Sequence, residues 1–143
     1  MAKLWKNPFN LEVINQTGHR TLVDHLGIEF VDFGDDFLKA TMPVDVRTVQ
    51  PMRILHGGAS VALAETMGSV ASILCIDMST QAIVGVEINA NHLRSVPEGK
   101  TVTGIVKPIK IGRKLHIWQI DIYDEQDRLT CTSRLTAMVI EQR

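Results

Sequence analysis

The chain has 143 residues, 45% hydrophobic and 22% charged, with a formal net charge of −1. That is the length of one domain with ordinary globular usage, and so near-neutral a balance gives no general reason to expect nucleic acid or an anionic membrane as partner. No apolar run goes uninterrupted for the length of a membrane-crossing helix, and Met1-Ala2-Lys3-Leu4-Trp5-Lys6 lacks the apolar stretch of a signal peptide, so a cytoplasmic location is expected.

Asn10 can cap a short helix starting Leu11-Glu12-Val13-Ile14, and a second helical turn should end at Gly27. Residues 28–33 alternate and read as a strand. Gly34-Asp35-Asp36 is a turn signal, and residues 37–44 read as the return strand. A loop follows from Asp45 to Ile54. Residues 57–76 repeat their apolar positions with the helical period and should form the one long helix. Four strand-like runs come after it, at 82–89, 100–106, 115–123 and 129–140. Pro97-Glu98-Gly99, Gly112-Arg113 and Asp124-Glu125-Gln126-Asp127 separate them as turns. This order predicts an α+β fold in which an antiparallel sheet lies against one buried helix.

Glu65 stands out inside that helix. From Ile54 through Leu93 there is no Lys or Arg, and the surroundings are apolar or small. A carboxylate buried there without a local cation is costly to ionise. It must be neutral, paired with a residue distant in sequence, or retained for chemistry. Around the helix, Gly58, Val61, Ala62, Gly68, Ser69 and Ser72 share its face, and all but Val61 are small. Leu63, Met67, Val70 and Leu74 lie opposite and should pack on the sheet. The small face leaves room for a close backbone, a second helix or a ligand.

His56-Gly57-Gly58 falls at the helix start, where unsatisfied N–H groups form a partial positive pole. Gly57 has no Cβ, so a carbonyl oxygen can approach its N–H and be polarised. Taken alone, the same tripeptide is equally a tight turn into a helix. Gly57 and Glu65 are eight positions apart, about 12 Å along one helix axis. One chain therefore cannot bring both to one atom. An antiparallel copy related by a two-fold axis can, and this points to a homodimer with two shared sites.

Gln50-Pro51, then His56-Gly57-Gly58-Ala59, Ala64-Glu65-Thr66 and Asn89-Ala90-Asn91-His92 together resemble the hotdog-fold acyl-CoA thioesterases. The closest likeness is to the bacterial branch that includes 1,4-dihydroxy-2-naphthoyl-CoA thioesterase and the enterobactin-pathway proofreading thioesterase, and it runs from Leu11 to Ile140. The resemblance implies a long helix wrapped by an antiparallel sheet of five to six strands, in dimers that form tetramers. It implies Glu65 as nucleophile or general base and Gly57 as the oxyanion N–H donor. Gln50 would orient the thioester carbonyl or the water, with His56 beside the oxyanion site. Thr66 and Ser69 match hydroxyl positions near the acid. Met52, Met67 and Ile73 fall in the substrate-binding set. Of these, Met52 stands where relatives often carry Phe, and Ile73 where some carry an aromatic residue. His92 and Arg94 would line the CoA side, and Gly112-Arg113-Lys114 a turn near the nucleotide phosphates.

Without the resemblance, Lys107, Lys110, Arg113 and Lys114 read as a solvated basic hairpin, and His92 as a strand-end histidine. Cys75 and Cys131 fit no metal or redox spacing, His19, His25 and His116 show no metal pattern, and no cofactor is called for. Gly58-Ala59-Ser60-Val61-Ala62 lacks the second glycine of a nucleophile elbow. Two other functions stay open on this fold. A dehydratase would pair a catalytic histidine with an acid in a different loop, and a pure acyl-CoA-binding module would not need the acid. An acyl-carrier protein in place of CoA also stays open, since Arg94, Arg113 and Lys114 could supply a basic rim.

Overall fold

The computed structural model describes residues 4–142. In chain order they form α1 (Leu11–Thr17), α2 (Leu22–His25), β1 (Glu29–Phe33), β2 (Leu38–Pro43), α3 (Gly57–Leu74), β3 (Gln81–His92), β4 (Thr101–Ile111), β5 (Leu115–Tyr123) and β6 (Leu129–Glu141). Asn10 caps α1 as expected, its side chain accepting from the Val13 N–H at 2.8 Å. Gly27 sits at φ +73°, a conformation glycine adopts freely, and ends α2. Two strands run longer than their sequence signal. β4 continues through Pro108 because a register shift between Pro108 and Lys110 accommodates the residue that cannot donate. β3 extends through Ala90-Asn91-His92, which pair with Ser133, Thr132 and Cys131.

The strands make one antiparallel sheet in the order β1-β2-β4-β5-β6-β3. α3 lies on its inner face and contacts β2, β3, β4, β5 and β6. Alternation with period two sends Leu38, Ala40 and Met42 inward from β2, Val102 and Val106 from β4, and Trp118, Ile120 and Ile122 from β5. The helix answers with Leu63, Ala64, Met67 and Ala71, all fully buried. Each large side chain so buried contributes roughly 1.5–3 kcal/mol. Gly104 in β4 serves this packing. A Cβ there would meet the Met67 sulfur at 2.5 Å.

By length and a mean hydropathy of 1.2, α3 is apolar enough to cross a membrane, although Glu65, Thr66, Ser69 and Ser72 interrupt its run. Its apolar side is instead consumed by the sheet. The expected division of its faces also needs correction. Gly68 and Ser72, assigned to the Glu65 side, are buried: Gly68 packs against Leu135, and the Ser72 hydroxyl accepts from Trp118 Nε1 at 2.6 Å. Val70, expected against the sheet, is only half-buried. Small residues let the helix backbone come close, so the sheet reaches further round it than a bulky stripe alone would indicate.

The N-terminal segment closes the far end of α3. Lys6 N–H donates to the Leu74 carbonyl at 2.9 Å and the Asn7 amide to that of Ile76 at 2.7 Å, satisfying acceptors that a helix terminus leaves open. Trp5 stacks on Trp118 with ring centroids 6.3 Å apart.

The two edges of the sheet differ. β1 has five residues and an irregular register. β3 has twelve, pairs only with β6, and leaves Val84 and Val86 exposed.

Candidate active site

The loop before α3 is held by backbone bonds. Gln50 N–H donates to the Ile54 carbonyl at 2.9 Å, and Arg53 N–H to that of Gln50 at 2.8 Å, which closes a tight turn. Arg53 lies in the left-handed region at φ +62°. Its guanidinium grips Glu98 through two hydrogen bonds, 2.8 and 2.5 Å. The Gln50 side-chain oxygen accepts from the Met52 N–H, so its amide NH2 remains available to donate. Met52 itself is 77% exposed.

His56 is the N-cap of α3, and its Nδ1 accepts from the Gly58 N–H at 2.8 Å. A ring nitrogen that accepts carries no proton, so the Nε2 is the position that holds one. The cap uses the Gly58 donor. The Gly57 N–H has no hydrogen-bond partner among the described residues. The open donor at this helix tip is thus the one the sequence singles out. His92 lies against Gly57, its Nε2 3.0 Å from where a Cβ would stand.

Glu65 is exposed in the single chain, not buried as its neighbours in sequence suggest. The side of α3 that carries it is not covered by the protein's own sheet. None of the ion pairs among the described residues includes it. Its Oε1 lies over Gly85 of β3, 2.8 Å from where a Cβ would project. Thr66, expected near the acid, donates instead to the Ala62 carbonyl at 2.7 Å. Ser69 is half-buried one turn further along, and Ile73 is 39% exposed on the same uncovered side. Met67 is corrected: it is wholly inside the core, against Gly104.

Gly57, Ser60, His92 and Arg94 line a cleft of about 390 Å³ beside the N-terminus of α3, with Ile54 and Leu55 as its apolar wall. Gly112, Arg113 and Lys114 lie at the other end of the sheet, a whole strand's length away, in the turn between β4 and β5. A second cleft of about 590 Å³ opens there, with Arg113 and Lys114 beside Leu115 and Met138. One chain therefore brings together Gly57, His56, His92 and Arg94. It does not bring Arg113 and Lys114 to them. Sequence reasoning passed over Gly85, although a glycine inside a strand is a signal of close approach. No group of three or more metal-ligating side chains is gathered among the described residues.

An exposed carboxylate, an amide donor and an unspent helix-tip N–H are the parts that acyl transfer to water requires. Comparison with known proteins agrees. Residues 52–131 match the model of the Thioesterase superfamily. The chain belongs to this family. It is 52% identical over 137 residues to a 1,4-dihydroxy-2-naphthoyl-CoA hydrolase of Escherichia coli, covering 96% of this chain and 99% of that protein. It is 53% identical to a proofreading thioesterase, EntH, of Cronobacter turicensis, covering 96% and 98%. The crystal structure of a thioesterase from Haemophilus influenzae, 54% identical, superposes with a TM-score of 0.93 over 96% of this chain and 95% of that one. The helix wrapped by a six-stranded antiparallel sheet is thus the hotdog fold, and the protein is a thioester hydrolase.

Proposed function

We propose that this thioesterase hydrolyses acyl-CoA esters, with aromatic or medium-chain acyl groups, at two sites shared across a homodimer. In each site Glu65 of one chain attacks the thioester or activates water, and the Gly57 N–H of the other holds the developing oxyanion. Gln50 orients the carbonyl or the water with its free amide NH2, and the His56 cap fixes the loop from which Gly57 projects. Acyl groups lie along the uncovered side of α3, near Met52, Ser69 and Ile73.

One observation carries this proposal. Glu65 is unpaired and exposed, eight positions along a single helix from an unspent Gly57 N–H. Helical geometry separates them by about 12 Å. Only a second copy running the opposite way closes that gap. The long β3 edge beside Glu65, with exposed Val84 and Val86, offers the contact for that copy, since such edges are normally covered. Antiparallel pairing of β3 with its counterpart would also carry the partner's basic turn toward the His92 and Arg94 end, where CoA phosphates would find both. Two dimers are expected to pair into a tetramer, and the enzyme to work in the cytoplasm.

Free-thiol release from a panel of CoA esters, run beside the same acyl groups on a carrier protein, tests substrate and carrier together. Glu65→Ala should lower kcat by about a thousandfold or more with the dimer intact. Unchanged turnover in that variant would end the proposal. Single turnover in oxygen-18 water distinguishes the two routes, because label enters Glu65 only if it acts as nucleophile.

A further inference from the structure

β3 carries a defect at a telling place. Its register against β6 runs Gly85 to Ala137 and then Glu87 to Thr136, so Val86 is an extra residue with no partner in the ladder. A bulge of this kind reverses which face successive side chains take. Gly85 faces α3, where Glu65 Oε1 lies over it. Beyond the bulge it is Ile88 and Ala90 that pack toward the core, and His92 that lies against Gly57. Strict alternation from Gly85 would have turned Ile88, Ala90 and His92 outward. The one extra residue therefore lets a single strand support α3 at two points, under Glu65 and under Gly57.

We propose that Gly85 and the Val86 bulge form the seat of the Glu65 carboxylate, making Gly85 a positioning residue for the hydrolysis. The inference rests on the catalytic role given to Glu65 above. A Cβ at Gly85 would stand 2.8 Å from Oε1 and 3.9 Å from the carboxyl carbon, and it meets no other atom within 4 Å. Gly85 has no positive φ, so its backbone accepts alanine without strain. Among the described residues of one chain, a methyl group there would displace only the tip of one flexible side chain, by several tenths of an ångström. Fold stability hardly registers such a shift. A reacting group misplaced by about 1 Å can lose about a hundredfold in rate.

Gly85→Ala should accordingly lower kcat about ten- to a hundredfold, with KM within about twofold and the melting temperature and oligomeric state unchanged. Glu65→Asp withdraws the carboxylate by one methylene, so the double variant should lose less than the product of the two single losses. Wild-type kcat in Gly85→Ala, or losses that simply multiply, would overturn the inference. So would a Gly85→Ala protein that melts early or fails to fold, because the position would then serve the fold. Glu65→Ala is measured alongside. If it retains full activity, the catalytic assignment fails and takes the seat with it. If it is inactive while Gly85→Ala is normal, the seat alone fails.

Discussion

The two sides of α3 obey different rules. Toward the sheet, Leu63, Ala64, Met67 and Ala71 are sealed, and the Ser72 hydroxyl at the same depth is satisfied by Trp118. The helix itself presents no titratable side chain there. On the other side Glu65 and Ile73 are exposed, Val61 and Ser69 are half-covered, and Val84 and Val86 stand uncovered on the neighbouring strand. An exposed strand edge beside an uncovered carboxylate is unfinished as a monomer surface, since such edges are normally covered. The lesson is a division of labour within eighteen residues. One side of the helix holds the fold, and the other is where the proposed partner and substrate would meet.

The sharpest way to break that comparison is to spoil the uncovered side while leaving the sealed side alone. Val86→Lys places a charge on the β3 edge, where it is solvated in the single chain but would be buried against a second copy. The proposed dimer should dissociate, and hydrolysis should fall at least about a hundredfold, because each proposed shared site would lose its oxyanion donor. Sedimentation velocity with thiol release checks both, and a fully active monomer would refute the shared site. Spoiling the sealed side should do the reverse. Leu63→Ala removes a fully buried side chain at a cost of about 2–5 kcal/mol. Denaturant titration should record that loss, while kcat of the folded protein stays within about twofold. A variant equally stable but inactive would mean that the two sides are not separable.

Much of this was legible in the sequence, and the failures have physical reasons. Strand β5 and the helix start stand where alternation and the helical period put them, because both signals depend only on local geometry. Pro108 and the Asn89-Ala90-Asn91 run misled the strand ends, because a bulge and pairing with β6 override local preference. Gly57 could be singled out from the charge and geometry of a helix start. The state of Glu65 could not. Apolar neighbours in sequence predict burial only if something covers them, and what would cover Glu65 is absent from its own chain. Gly68 and Ser72 show the converse, since small residues signal close packing but not against which surface. Arg113 and Lys114 are plainly basic, yet no local pattern shows that a strand's length separates them from His92.

The smallest effect tests whether acid reaches the sealed side through stability alone. His116 projects inward from β5, is 2% exposed, and its Nδ1 has no hydrogen-bond partner among the described residues. Burial pushes its pKa below the ordinary 6.5, the Gly112 backbone works against this to a lesser extent, and nearby Lys6 adds to the lowering. The folded protein thus keeps His116 neutral where the unfolded chain already binds a proton. Its contribution is complete above the ordinary histidine pKa and is lost as pH falls from there toward the depressed folded value. Cys75 lines the same crevice, but burial pushes its thiol up to about 12, so it takes no part in that range. Denaturation midpoints of wild type and His116→Gln, compared from pH 8 down to about 5, isolate the effect because the carboxylates common to both cancel in the difference. Wild type should lose ground to the variant only below about pH 6.5, and kcat of the two at pH 8 should agree. A parallel pH dependence in both proteins would show that His116 gains its proton without resistance, and a difference in kcat would place it on the working side of the molecule after all.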